Sequence, residues 1–166
     1  MKLDISLSVE RGLGDPLVKI IVDDYLTLAD GPAQDQYSFE LNIPDELHSL
    51  KITHYGKTID DASNSNIDKH VEITAISMDQ ISLERELWDG KFFPIYLHKT
   101  DSDPYYISPN LYLGHNGTWV LEFTTPAPLW LISLRKPGPK LDNTIFKTNK
   151  QTLDHAKDFF KGLPDV

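Results

Sequence analysis

Leu3, Ile5, Leu7 and Val9 alternate with Lys2, Asp4, Ser6 and Ser8. Side chains that change face at every residue satisfy this pattern as a strand with one buried side. The period returns along most of the chain. Leu17 to Val22 is a β-branched run behind the turn residues Gly12, Gly14, Asp15 and Pro16. Tyr25 to Leu28 follows, and Asp30-Gly31-Pro32 reads as a turn, because Gly permits positive φ and Pro fixes its own. Gln36 to Asn42 alternates Tyr37, Phe39 and Leu41, and Leu47 to Tyr55 sets Leu50, Ile52 and His54 on one face.

Val71, Ile73 and Ala75 are in one phase, and Ile76, Met78, Ile81 and Leu83 are in the other. That shift is expected of two strands separated by a bulge or by a tight turn at Met78-Asp79-Gln80. A strand over Phe93 to Leu97 is next. Leu111 to Leu113 then reads as one arm of a hairpin that Gly114-His115-Asn116-Gly117 turns into Thr118 to Phe123. The apolar run Leu129 to Leu134 fits a strand or one buried helical turn, and the strand is favoured. One helix is expected near the end: Thr148 to Gln151 matches a capping box, Leu153, Ala156, Phe160 and Leu163 lie near helical spacing, and Gly162 with Pro164 marks the stop.

Roughly nine or ten closely spaced strands without alternating helices predict an all-β chain, an antiparallel β-sandwich of jelly-roll type. The expected division is a sandwich over residues 1–134 and an extended arm with an amphipathic helix over 135–166. Arms of this kind dock on neighbouring surfaces, which makes Leu153, Phe159 and Phe160 candidate assembly contacts.

Composition limits what such a fold can do. With 166 residues and a formal net charge of -9, the chain is long enough for a core of its own and carries the wrong charge for a nucleic-acid backbone. The absence of cysteine removes thiol catalysis, disulfides and thiolate zinc sites. No apolar run approaches the roughly 20 residues that span a bilayer. The alternating N-terminus is a strand pattern and not an export signal, so synthesis in the cytoplasm without membrane insertion is expected.

Two features carry chemistry. Asp60 to Asp68 is dense in oxygen donors, the ligands of a hard cation such as calcium, although an ordinary solvated loop has the same composition and is the favoured reading. Counted from Asp61, residues Ser63, Ser65 and Glu72 take EF-hand ligand positions, but Asn66 stands where that loop needs glycine. The second feature is aromatic. Trp119, Phe123 and Trp130 sit in alternating or apolar runs and read as core, whereas Trp88, Phe92, Tyr105 and Tyr106 lie near turn residues and are candidates for stacking on a glycan or a protein partner. No nucleophile elbow, zinc-binding histidine pair or phosphate loop is present, and the six histidines are scattered singly. Asp101 and Asp103 imitate a glycosidase carboxylate pair, but their separation is not legible in a sequence. A binding protein and not an enzyme is expected.

The stretches Leu50 to Thr58, Asp68 to Asp79, Leu87 to Pro94 and Gly114 to Phe123, with Pro126 and Trp130-Leu131, resemble small β-sandwich virion proteins of tailed bacteriophages. Those proteins are similar in layout to calcium-dependent, xylan-binding-type carbohydrate-binding modules. The resemblance implies a non-enzymatic virion component, part of a tail, neck or capsid accessory structure, partnered by other virion proteins or by itself as a homo-oligomer. Its alternative implication is a calcium-dependent module for a host-surface polysaccharide, with Asp60, Asp61 and Asp68 as the metal positions.

Overall fold

The computed structural model describes residues 1–12, 14–58, 68–96 and 99–134. Among the described residues there are ten strands: β1 (Lys2–Glu10), β2 (Leu17–Val22), β3 (Leu26–Pro32), β4 (Gln36–Glu40), β5 (Leu47–Tyr55), β6 (His70–Met78), β7 (Ile81–Ser82), β8 (Lys91–Ile95), β9 (Tyr112–Leu113) and β10 (Asn116–Thr124). A 3-10 turn (Glu86–Asp89) precedes β8, and a helix α1 (Ala127–Leu134) follows β10. The chain divides into compact units Met1–Trp130 and Leu131–Val166. The expected arm and its contacts Leu153, Phe159 and Phe160 lie outside the described residues.

The strands form an antiparallel β-sandwich. One sheet runs β4-β1-β6-β7, with β9 also on β6, and the other runs β3-β2-β5-β10-β8. The period-two pattern decides which side chains meet between them. Leu3, Ile5 and Leu7 of β1 and Val71, Ile73, Ile76 and Met78 of β6 are buried on one sheet. Val18, Ile20, Leu50, Ile52, Trp119, Leu121 and Phe123 are buried on the other. The phase change in β6 has a local cause. Ser6 pairs with Ala75 and Leu7 with Ile73, so Thr74 is an extra residue that re-aims everything after it. Ala75 is therefore exposed. A separate two-residue turn at Asp79 (φ 50°) and Gln80 (φ 68°) then closes β6 onto β7, which requires positive φ at both positions.

Three expectations are corrected. Asp30-Gly31-Pro32 is no turn but the end of β3, opposite Lys19, Val18 and Leu17. The strand lies at a sheet edge, where proline removes no ladder bond. The segment before Gly114 does not form a hairpin with β10: Tyr112 and Leu113 pair with Glu72 and Val71 of β6, in the opposite sheet. Gly114 allows this crossing, since a Cβ there would sit 2.3 Å from Tyr112 Cε1. Leu129 to Leu134 belongs to a helix and not a strand. Pro126 and Pro128 suit a first helical turn, whose N–H groups need no partner, and Pro126 accepts from Trp130 N–H at 3.2 Å. Trp130 then lies edge-on to Phe123, with centroids 6.3 Å apart.

Candidate functional site: an aromatic platform on an edge strand

β8 is the outer strand of its sheet, paired on one side with β10 from Lys91↔Val120 to Ile95↔Asn116. Pro94 in its middle fits that position. The free side of β8 is covered by the loop that follows. Phe92 N–H donates to Ile107 O at 2.9 Å, and Ile107 N–H donates back to Phe92 O at 2.8 Å. Ser108 Oγ adds a bond to Gly90 O at 3.2 Å. These contacts fix the loop carrying Tyr105 and Tyr106 against a strand held in the sheet.

Alternation along β8 then separates its two phenylalanines. Phe92 is 1% exposed and belongs to the core, so the expectation that it stacks on a ligand is corrected: one residue of phase turns it inward. Phe93 faces outward and is half-buried beneath the loop. Its ring centroid lies 5.7 Å from Tyr105, at an edge-on interplanar angle of 77°, and 5.9 Å from Tyr106. Tyr105 is 78% and Tyr106 48% exposed. Single exposed rings are ordinary, whereas these lie together on one sheet edge, which makes them the candidate surface. Ile95, exposed on the same face of β8, extends it. Lys91 Nζ stands 5.8 Å from the centroid of the Tyr106 ring. Trp88, on the 3-10 turn, is also exposed but is not part of the ring contacts that join the other three.

The platform is tied to the core through Gly90. A Cβ there would lie 2.3 Å from Trp119 Cε2 and Cζ2, so the indole occupies the space that any other residue would fill. The structure brings Tyr105 and Tyr106, singled out in the sequence, together with Phe93 and Lys91, which were not named as site residues, and leaves Trp88 outside those ring contacts. The strand phase at Phe92-Phe93 was the available signal, hidden because both residues are aromatic.

The metal positions lie elsewhere. Asp60 and Asp61 fall outside the described residues, and Asp68 pairs with Lys57 Nζ. Lys57 is buried, and its Nζ also donates to Gly114 O at 2.6 Å. Lys57 N–H donates to Asn116 Oδ1 at 2.9 Å, and Asn116 Nδ2 donates to Lys57 O at 2.8 Å. A tethered ammonium therefore joins the β5 end to the crossing between β9 and β10. His54 Nδ1 donates to His115 O at 3.0 Å in the same corner. Burial lowers the His54 pKa, and the positive charge of Lys57 acts in the same direction. Among the described residues no three His, Cys, Asp or Glu side chains are grouped to hold a metal ion, and no helix is long and apolar enough to cross a membrane.

Asp101 and Asp103 stand in one turn. Asp103 Oδ2 accepts from Thr100 N–H at 2.6 Å, so this carboxylate closes its own loop.

No protein-family model and no curated protein sequence matches the chain. Among solved structures, a carbohydrate-binding module described as vCBM60 in complex with galactobiose superposes with a TM-score of 0.50 at 10% sequence identity, covering 73% of this chain and 97% of that one. The likeness is one of fold. This chain has the two-sheet layout of such a module, and the comparisons lend no support to a virion role or to an oligomer.

Proposed function

We propose that this chain is a non-catalytic carbohydrate-binding module and that Phe93, Tyr105 and Tyr106 form its stacking platform. The observation that carries this reading is the contact of three rings on one sheet edge, two of them open to solvent and all held by the Phe92–Ile107 bonds. Sugars present apolar C–H faces between their hydroxyls, and an aromatic face covers that surface at little conformational cost. Two or three rings at about 0.5–1.5 kcal/mol each beyond area burial supply about 1–4.5 kcal/mol, and with the apolar area they cover the expected dissociation constant for a short oligosaccharide is on the order of 0.1–1 mM, about 4–5.5 kcal/mol. Weak binding of this kind suits a module that grips a repeating polymer through several contacts. The fold shared with a module in complex with galactobiose is consistent with this reading.

The virion reading rests on sequence resemblance, and no feature of the sandwich favours it over recognition of a glycan. The experiment is a glycan array probed with the full chain, with and without chelator. Signal on a defined set of polysaccharides is expected. Its loss in chelator would show that binding needs a divalent cation. Silence across neutral and acidic polysaccharides, with calcium present, sinks the proposal.

A further inference from the structure

The platform includes a cation that no carboxylate among the described residues neutralises. Lys91 is the first residue of β8, two residues from Phe93 and hence on the same outward face. Its ammonium lies 5.8 Å from the Tyr106 ring centroid, held by the ring's negative face. Two other lysines face outward on this sheet, and both are neutralised. Lys19 pairs with Asp30 at 3.4 Å and Lys51 with Asp24 at 2.5 Å. Lys91 makes no ion pair among the described residues, although the exposed carboxylates Asp89 and Asp101 lie in the flanking turns.

We propose that the platform selects saccharides bearing an anionic group, the carboxylate of a uronic acid or a sulfate ester, and that Lys91 is the specificity-determining residue. The inference rests on the glycan reading above. A sugar stacked on Tyr106 shares that ring with the ammonium standing over its face, which brings the sugar's substituents within reach of the charge. A neutral sugar leaves the charge to water, whereas an anionic one gains a charge-assisted hydrogen bond at contact distance. The chain's net charge of -9 opposes this only weakly. Charges farther away than the Debye length, about 8 Å at physiological salt, are largely screened, so the remote carboxylates count little beside the contact cation, and Asp89, two residues from Lys91, is the one near enough to reduce its pull. Affinity for the anionic sugar should accordingly fall as salt is raised, with little change for the neutral one.

The test is calorimetric titration of the full chain with three galacto-oligosaccharides of equal length: neutral, uronic and sulfated. A preference of about tenfold for either charged form is expected, and the better charged arm identifies the source of the anion. Lys91→Gln should bring the charged-to-neutral ratio to about one, and Lys91→Arg should restore the preference. Tyr105→Ala should weaken all three sugars together. Equal affinity for neutral and charged sugars, or a ratio unchanged in Lys91→Gln, overturns the inference and leaves the glycan reading standing. Failure to bind any of the three, together with a silent array, overturns both.

Discussion

The indole of Trp119 lies across the backbone of Gly90, so close that a methyl group there would stand 2.3 Å from Cε2 and Cζ2. The largest buried side chain of the second sheet thus occupies the position from which the platform strand departs. Gly90→Ala must either displace the indole or move the start of β8. Overpacking of this kind costs about 1–3 kcal/mol. Urea denaturation should show a loss in that range, and glycan affinity should fall with it because Lys91 and Phe93 follow directly. A Gly90→Ala protein as stable as wild type would mean that the core yields more easily than this contact implies.

Tyr105 and Tyr106 are exposed, and their rings contribute to a surface and not to the core. Replacing either with alanine should change stability by less than about 0.5 kcal/mol. Phe93→Ala differs, because this ring is half-buried under the loop and its loss opens space beside Tyr105 and Tyr106. Thermal unfolding separates the cases: unchanged midpoints for the two tyrosine variants and a lowered one for Phe93→Ala. A matching drop in all three would place the tyrosines in the stabilising core.

A buried ion pair makes stability depend on pH at the opposite end of β5. His48 Nε2 faces Pro44 O at 2.9 Å, and Nδ1 faces Asp23 Oδ2 at 2.9 Å. Both partners accept, so the ring can donate to both only as the cation, and the pair favours that form. Burial works against that charge, but the bonds to Asp23 and Pro44 outweigh it and raise the His48 pKa above its ordinary 6.5. Burial also pushes Asp23 up, yet His48 and the Ser49 N–H lower its carboxyl below the ordinary 3.8. His48 therefore contributes stability that is complete below pH 6.5 and lost as pH rises through its raised pKa. Asp23 contributes above pH 3.8 and loses it as pH falls through its lowered pKa. Asp23→Asn should cost most near pH 5 and distinctly less near pH 9. Denaturation midpoints compared at the two values check this, and an equal cost at both contradicts it.

His54 has the opposite sign. Its pKa is lowered, so the unfolded chain takes up a proton that the folded one refuses, and stability falls as pH drops from 6.5 towards the lowered value. In the same corner Lys57 is buried against Asp68 and Gly114 O. Lys57→Met keeps much of the side-chain volume but strands the carboxylate and the carbonyl. Breaking one partner of a buried pair costs about 3–5 kcal/mol, and the partial exposure of Asp68 places the expected loss near the lower end. If calorimetry shows no loss, the ammonium is not a structural cation.

Much of the sandwich was legible in the sequence, because burial on one face imposes period two and the chain shows it in β1, β2, β5 and β6. The tight turn at Asp79-Gln80 was readable for the same reason. Other features were decided by contacts distant in sequence. Pro32 ends a strand because β3 lies at an edge, and Leu113 pairs with Val71 and not with its neighbour in sequence. Neither edge position nor sheet membership is written in local pattern. The helix over Ala127–Leu134 was misread because a short apolar run fits either structure, and the two prolines that favour a helical first turn were the overlooked signal. At the site, Tyr105 and Tyr106 stood out by their loop context. Phe93 and Lys91 did not, since only the register against Thr118 and Val120 shows which residues of β8 face outward.

The central claim is that Phe93, Tyr105 and Tyr106 bind sugar. The most direct measurement is calorimetric titration of the best array ligand into wild type and into the double variant Tyr105→Ala/Tyr106→Ala, with circular dichroism to verify the fold. Wild type should bind with a dissociation constant on the order of 0.1–1 mM, and the double variant should fall at least tenfold while keeping its spectrum. A folded double variant that binds the ligand as tightly as wild type would contradict the account.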